Sequence, residues 1–127
     1  MHQFDALLMP EDVVGPVWPV AIKAANQVSI PSLVIPYTLA NQREAVQSLK
    51  DVPAFQSKVN RLAAWIEPRW RWKRDGVDLV RLPSAHIFAH KWFGLSPPDP
   101  WMMNSGHSSA ICVDSKASFD YFVRAGI

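Results

Sequence analysis

Short apolar runs alternate with an amphipathic segment at the start of the chain. Residues 6–9 (Ala-Leu-Leu-Met) and 32–35 (Ser-Leu-Val-Ile) are apolar runs of the kind that form strands buried on both faces. Between them, residues 18–28 carry apolar side chains at helical spacing. The pattern predicts a right-handed βαβ unit. We expect the strand at 6–9 to lie in the middle of a parallel sheet.

The same alternation returns near the end of the chain. Residues 109–113 predict a third strand, and residues 116–124 predict a helix that begins after Ser115 and ends at Gly126. A further helix is predicted over 40–49. The chain therefore has the pattern of an α/β protein, a three-layer α/β/α Rossmann-like domain with a small parallel sheet of about three to four strands.

Residues 51–105 interrupt this alternation. Six prolines divide them, and only two helices, over 55–66 and 84–93, and one extended piece over 77–82 are indicated. We interpret the segment as a long irregular, partly helical insertion, rich in Trp, Pro and basic residues, in a single domain spanning 1–127. Strands are expected close to both ends, so we expect this domain to be part of a longer α/β protein.

Composition narrows the class of protein. The chain has 127 residues, of which 49% are hydrophobic, and this suits one globular domain. No apolar run approaches the roughly 18 residues of a membrane span, and the first residues lack the pattern of a signal peptide. The single cysteine, Cys112, lies in an apolar run. It predicts a buried thiol in a reducing compartment, and therefore a cytoplasmic protein.

Charge is distributed unevenly along the chain. Residues 58–91 contain eight Lys and Arg against three Asp and Glu, a net +5, which leaves −3 for the rest. An anionic partner is therefore expected to bind this central segment.

Cations and indoles alternate inside the central segment, at Arg69-Trp70-Arg71-Trp72 and the following Lys-Arg. Arginine can grip phosphate with two hydrogen bonds, and tryptophan favours membrane interfaces, so a lipid-linked acceptor at the membrane periphery would suit the segment. Aromatic side chains also stack on nucleic-acid bases, but the acidic remainder of the chain disfavours that partner. The structural alternative is a strand with its indoles inward and its charges in solvent.

Polar side chains follow the predicted strands at their carboxyl ends, where open α/β sheets bind ligands. Glu11 and Asp12 are candidates for a general base that takes a proton from an acceptor hydroxyl. Carboxylates also favour helix starts for electrostatic reasons. Tyr37, His107 and Ser115 are candidate substrate contacts in the same crevice. A capping role is the alternative for Ser115, and cover of the core is the alternative for Tyr37.

His86 and His90 are four residues apart on a predicted helix, a spacing that can place two imidazoles on one face. A zinc site needs at least a third protein ligand, and the glutamate of the H-E-x-x-H motif is missing. No metal site is predicted.

Three stretches carry a resemblance to a known family. They are residues 5–12 (DALLMPED), residues 26–37 (NQVSIPSLVIPY), and residues 111–115 (ICVDS) with 119–127 (FDYFVRAGI). Together they resemble the N-terminal domain of GT-B-fold glycosyltransferases and of related sugar-nucleotide enzymes, such as nucleotide-sugar 2-epimerases and glycerophosphotransferases. The resemblance covers about half of the chain and does not extend to 51–105.

The resemblance implies an acceptor-side domain in polysaccharide or glycoconjugate biosynthesis, with a glycan or lipid-linked acceptor. In that fold a C-terminal domain binds most of the nucleotide sugar, so this chain is expected to bind no cofactor and to be inactive alone. The absence of a glycine-rich phosphate loop from the sequence agrees with this expectation. The alternative function is a non-catalytic module that docks on anionic lipid or on a protein through the Arg/Trp segment.

Overall fold

A computed structural model of the protein describes residues 4–37 and 41–127, which divide into two compact units. The first unit combines residues 4–37 and 103–127, and the second comprises residues 41–102. The elements in chain order are β1 (Leu7–Met9), α1 (Trp18–Gln27), β2 (Ser32–Val34), α2 (Gln42–Leu49), α3 (Pro53–Gln56), α4 (Lys58–Ile66), a 3-10 turn (Pro68–Trp70), β3 (Arg71–Arg74), β4 (Val77–Val80), α5 (Ser84–Trp92), β5 (Ala110–Ile111) and α6 (Lys116–Ala125).

The first unit contains a small parallel sheet, as the sequence predicts, and the α/β fold class is confirmed. The strand order is β1-β2-β5, and Leu33 in β2 lies between Leu8 in β1 and Ala110 in β5. The core joins Met9 and the fully buried Val34 to Ile22 of α1.

The expected position of the first strand is wrong. β2, not β1, is the central strand of the described sheet, and β1 lies at its edge. Alternate side chains of a strand point to opposite faces, so Leu7 and Met9 pack toward α1 while Leu8 points away from it. Leu8 is 62% exposed, so β1 is not buried on both faces.

The end of the first unit corrects a second expectation. Cys112 is exposed rather than buried, although its backbone N–H still donates to the Val34 carbonyl oxygen of β2 over 2.8 Å. The prediction for α6 is confirmed. The Ser115 side chain accepts a hydrogen bond from the Ser118 backbone N–H, and Gly126 ends the helix in the left-handed conformation at φ +82°.

The second unit has its own sheet, and it includes α2, which precedes the segment that the sequence treats as an insertion. Strands β3 and β4 form an antiparallel hairpin that joins Arg71 to Val80 and Arg74 to Val77. Asp75 and Gly76 both have positive φ, which is the backbone of a tight two-residue hairpin turn. The predicted extended piece is therefore β4, and its partner β3 is the Arg/Trp segment itself.

Helices α4 and α5 pack against each other in the second unit. At their starts, the Ser84 hydroxyl donates to the Val59 carbonyl oxygen over 3.2 Å. At their ends, the Lys91 ammonium lies 2.7 Å from a Glu67 carboxylate oxygen. The two helices therefore run side by side in the same direction. In the part of the chain that the structure describes, no helix is both long and apolar enough to cross a membrane.

Candidate functional site

A small cleft opens where β2 and β5 end. Parallel strands bring their carboxyl ends to the same edge of a sheet, and open α/β sheets bind ligands at that edge. The cleft measures about 180 Å³, less than the roughly 300 Å³ at which sites for drug-sized ligands begin. It is lined by Pro36, Tyr37, Cys112, Val113, Asp114, Ser118 and Phe122.

The start of α6 organises the polar side of the cleft. The Ser118 hydroxyl donates to Asp114 Oδ1 over 2.7 Å, and the hydroxyls of Ser115 and Ser118 lie 3.0 Å apart. The Ser118 hydrogen bond, with a smaller effect from Ser115, lowers the pKa of the Asp114 carboxyl. Asp114 is therefore a carboxylate at neutral pH, with further lone pairs that can accept hydrogen bonds from a ligand.

The remaining wall of the cleft is aromatic and apolar. Tyr37 follows β2, and its side chain is 74% exposed, so both its ring face and its hydroxyl can contact a ligand. Pro36 and Phe122 supply apolar surface. An apolar lining with a few fixed polar groups is typical of small-molecule sites. This combination suits a small ligand with several hydroxyl groups.

Asp12 has a structural position outside this cleft. Its Oδ2 accepts hydrogen bonds from the backbone N–H groups of His107 and Ser108, at 2.8 and 3.1 Å. Its own backbone N–H donates to Asn104 Oδ1 over 2.7 Å. Asp12 and its neighbour Glu11 are both buried. The Asp12 carboxylate therefore connects the end of the first strand to the loop that leads into β5.

His107 lies ahead of β5, whereas Ser115 follows it. The His107 backbone is held on both sides, since its carbonyl oxygen accepts a hydrogen bond from Asn26 Nδ2 over 2.9 Å. His107 is not among the residues that line the cleft. The structure thus gathers Tyr37 and the start of α6 at one place, and His107 with Asp12 at another.

The Arg/Trp segment forms β3 and the turn before it, in the second unit. Trp70 is fully buried against the ring of His90, with 5.3 Å between the ring centres, and Trp72 is half-buried against Trp101. Both indoles are therefore committed to packing inside this unit.

Two arginines of this segment, Arg69 and Arg71, already pair with carboxylates. Arg71 makes two hydrogen bonds of 2.8 Å to Asp78, and Arg69 pairs with Glu67. The Arg71 guanidinium lowers the pKa of Asp78. A phosphate would have to displace these partners, which leaves the segment closer to the structural alternative than to a preformed anion site.

His90 is buried, whereas His86 on the same helix is exposed. The Nδ1 of His90 lies 3.2 Å from the Leu95 carbonyl oxygen. Residues 4–37 and 41–127 contain no group of three or more His, Cys, Asp or Glu that could hold a metal ion. Burial lowers the pKa of His90, so its neutral form is the one that fits the folded protein.

This burial predicts a loss of stability in mild acid. As pH falls through the ordinary histidine value near 6.5, the unfolded chain binds a proton that folded His90 resists, so the free energy of unfolding decreases. His90→Phe, which keeps a ring against Trp70, should reduce this dependence. Urea unfolding at a series of pH values measures it. An unchanged slope between wild type and variant would contradict the prediction.

The carboxylates provide an internal reference for that experiment. The pKa values of Glu67 and Asp78 are lowered by their hydrogen-bonded partners Lys91 and Arg71, from ordinary values of 4.5 and 3.8. Their stabilising contributions are present above those values and are lost as pH falls below them. The effect of His90 therefore begins at a higher pH than theirs.

Sequence reasoning identifies Tyr37, which lines the cleft, and Ser115, which does not line it but whose hydroxyl lies 3.0 Å from that of the lining residue Ser118. It misses Ser118 and Phe122. The missed signal is the Ser-x-x-Ser spacing of Ser115 and Ser118, which places a second hydroxyl beside the strand end once α6 begins at Lys116.

The fold and the cleft together define an α/β protein with a small polar and aromatic cleft at the carboxyl edge of a parallel sheet. No known family model, curated protein or solved structure matches the chain.

Proposed function

We propose that the chain is the acceptor-side domain of a glycosyltransferase-like enzyme in polysaccharide or glycoconjugate biosynthesis. In this proposal, the cleft at Tyr37 and Asp114 binds a sugar of the glycan or lipid-linked acceptor. The observation that carries the proposal is the position of this cleft at the carboxyl edge of the sheet, together with its carboxylate and its exposed aromatic ring.

The pKa of Asp114 decides whether it acts as a general base or as a hydrogen-bond acceptor. A general base works best when its pKa is near the operating pH, and the hydrogen bonds from Ser118 and Ser115 move the pKa of Asp114 in the opposite direction. We therefore assign Asp114 to accepting hydrogen bonds from acceptor hydroxyls and orienting them. Tyr37 covers one face of the bound sugar.

The nucleotide-sugar donor belongs to a separate domain in this proposal, as the family resemblance implies. We place the enzyme in the cytoplasm, at the membrane periphery when its acceptor is lipid-linked. The exposed Cys112 supports this location, because a free accessible thiol persists most readily in a reducing compartment.

A titration with sugars tests the cleft. We expect simple mono- and oligosaccharides to shift the backbone amide resonances of residues 36–37 and 112–118 in isotope-labelled protein. Asp114→Asn removes the negative charge from a hydrogen-bond acceptor, which should weaken binding by about tenfold. Tyr37→Ala should also weaken it. The readout is the dissociation constant from the resonance shifts.

Asp120→Asn is the matched control, because Asp120 is a carboxylate on α6, six residues after Asp114, but pairs with Lys116 instead of lining the cleft. It should leave sugar binding unchanged. The proposal fails if no saccharide shifts the cleft resonances, or if Asp120→Asn weakens binding as much as Asp114→Asn. Tight binding of a nucleotide sugar by this chain alone would contradict the acceptor-side assignment.

A further inference from the structure

Helix α4 presents large apolar side chains to solvent. Val59, Leu62, Trp65 and Ile66 are all exposed, and Trp65 is 75% exposed. Their spacing of three, four and seven residues places them on one face of the helix. The buried residues of α4 are instead the small Ala63 and Ala64. This helix therefore directs its larger apolar face outward.

Helix α5 adds to this surface at the same end of the helix pair. Trp92, its last residue, is 87% exposed, and the following Phe93 is also exposed. Because α4 and α5 run in the same direction and the Lys91–Glu67 ion pair joins their ends, Trp65 and Trp92 lie at the same end. We call Trp65, Ile66, Trp92 and Phe93 the aromatic tip.

The aromatic tip lies in and next to a segment of net positive charge. Lys91 precedes Trp92 and its ammonium pairs with Glu67, whereas Lys58 lies at the start of α4, seven residues before Trp65 on the same exposed face. Residues 58–91, which include most of the helix pair, carry a net +5. Indoles favour the boundary between the headgroups and the acyl chains, and nearby lysines are attracted to anionic headgroups.

We propose that the aromatic tip docks the protein on an anionic phospholipid bilayer, with Trp65 and Trp92 inserted at the level of the headgroups. The combination of two exposed indoles with the net positive charge of residues 58–91 favours a lipid surface over a protein partner. The proposal does not depend on the acceptor cleft, which lies in the other unit. It also differs from docking through Trp70 and Arg71, which are occupied within the fold.

Vesicle co-sedimentation tests the proposal. We expect the chain to bind phosphatidylcholine vesicles containing about one-third phosphatidylglycerol, and to bind pure phosphatidylcholine and high-salt samples more weakly. A Trp65→Ser/Trp92→Ser double variant should lose about tenfold or more in affinity. Both side chains are exposed, so circular dichroism should show an intact fold. Quenching of tryptophan fluorescence by brominated lipids should also disappear in this variant.

Phe119→Ser/Val123→Ser is the matched control, because these side chains form an exposed apolar pair on α6 in the first unit. It should bind vesicles as well as wild type. The proposal is overturned if wild type does not sediment with anionic vesicles, or if the Trp65→Ser/Trp92→Ser variant still binds them. A dimer in light scattering that this variant abolishes, without vesicle binding, would assign the tip to a second copy of the chain.

Discussion

Trp70→Ala is expected to remove about 3–5 kcal/mol from the free energy of unfolding of the second unit. Trp70 is fully buried and packs against the buried ring of His90. Among the described residues its indole N–H has no hydrogen-bond partner, so the substitution removes packing without breaking a side-chain hydrogen bond. The cost comes from lost apolar burial and from the cavity that remains.

Two further variants separate packing from polar effects. Trp70→Phe keeps an aromatic ring in the site and should cost less than half as much, because the lost indole N–H made no hydrogen bond. Trp65→Ala on the exposed face of α4 should cost less than about 0.5 kcal/mol. Urea unfolding followed by circular dichroism measures all three. Equal losses of unfolding free energy for Trp65→Ala and Trp70→Ala would contradict the structure.

The local parts of the fold are predictable from the sequence. Apolar runs bounded by proline and turn residues locate β1 and β2, and helical spacing locates α1 between them. Ser115 and Gly126 mark the ends of α6 because capping depends on only a few neighbouring residues. Such signals depend only on residues a few positions apart, so they can be recognised in one sequence.

Sheet order and surface exposure depend on distant residues, and there the sequence misleads. The apolar run of β1 resembles a central strand, yet the pairing of β2 with β5 leaves β1 at the edge. In α4 the larger apolar residues suggest a core face, but the helix buries Ala63 and Ala64 and leaves Leu62 exposed. Small side chains allow close packing of neighbouring elements, which the local pattern does not reveal.

In the candidate site, too, some residue positions follow from the local sequence and others depend on distant residues. Tyr37 lines the cleft, and Ser115 lies next to it through Ser118, because residues after parallel strands gather at one edge and strand positions are predictable. His107 does not reach it, because hydrogen bonds from Asn26 and to Asp12 hold its backbone ahead of β5. Those bonds join residues 81 and 95 positions apart along the chain. A pattern within one segment cannot predict them.

Asp12→Ala is expected to lower the free energy of unfolding of the first unit by about 2–4 kcal/mol. The buried carboxylate accepts the backbone N–H groups of His107 and Ser108, and the substitution leaves both without this partner. Asp5→Asn, an exposed carboxylate just before β1, is the control and should change stability little. Thermal and urea unfolding provide the measurement.

A second substitution, at Gly106, tests the contact between Gly106 and the Asp12 carboxylate directly. A Cβ atom at position 106 would overlap the Asp12 carboxylate, so Gly106→Ala should also destabilise the folded protein, by about 1–3 kcal/mol. Asp12→Ala removes the group that the Cβ would strike. The double variant should therefore lose less stability than the sum of the two single variants. Additive losses would show that the two residues act separately. An Asp12→Ala protein as stable as wild type would contradict the structural role of Asp12.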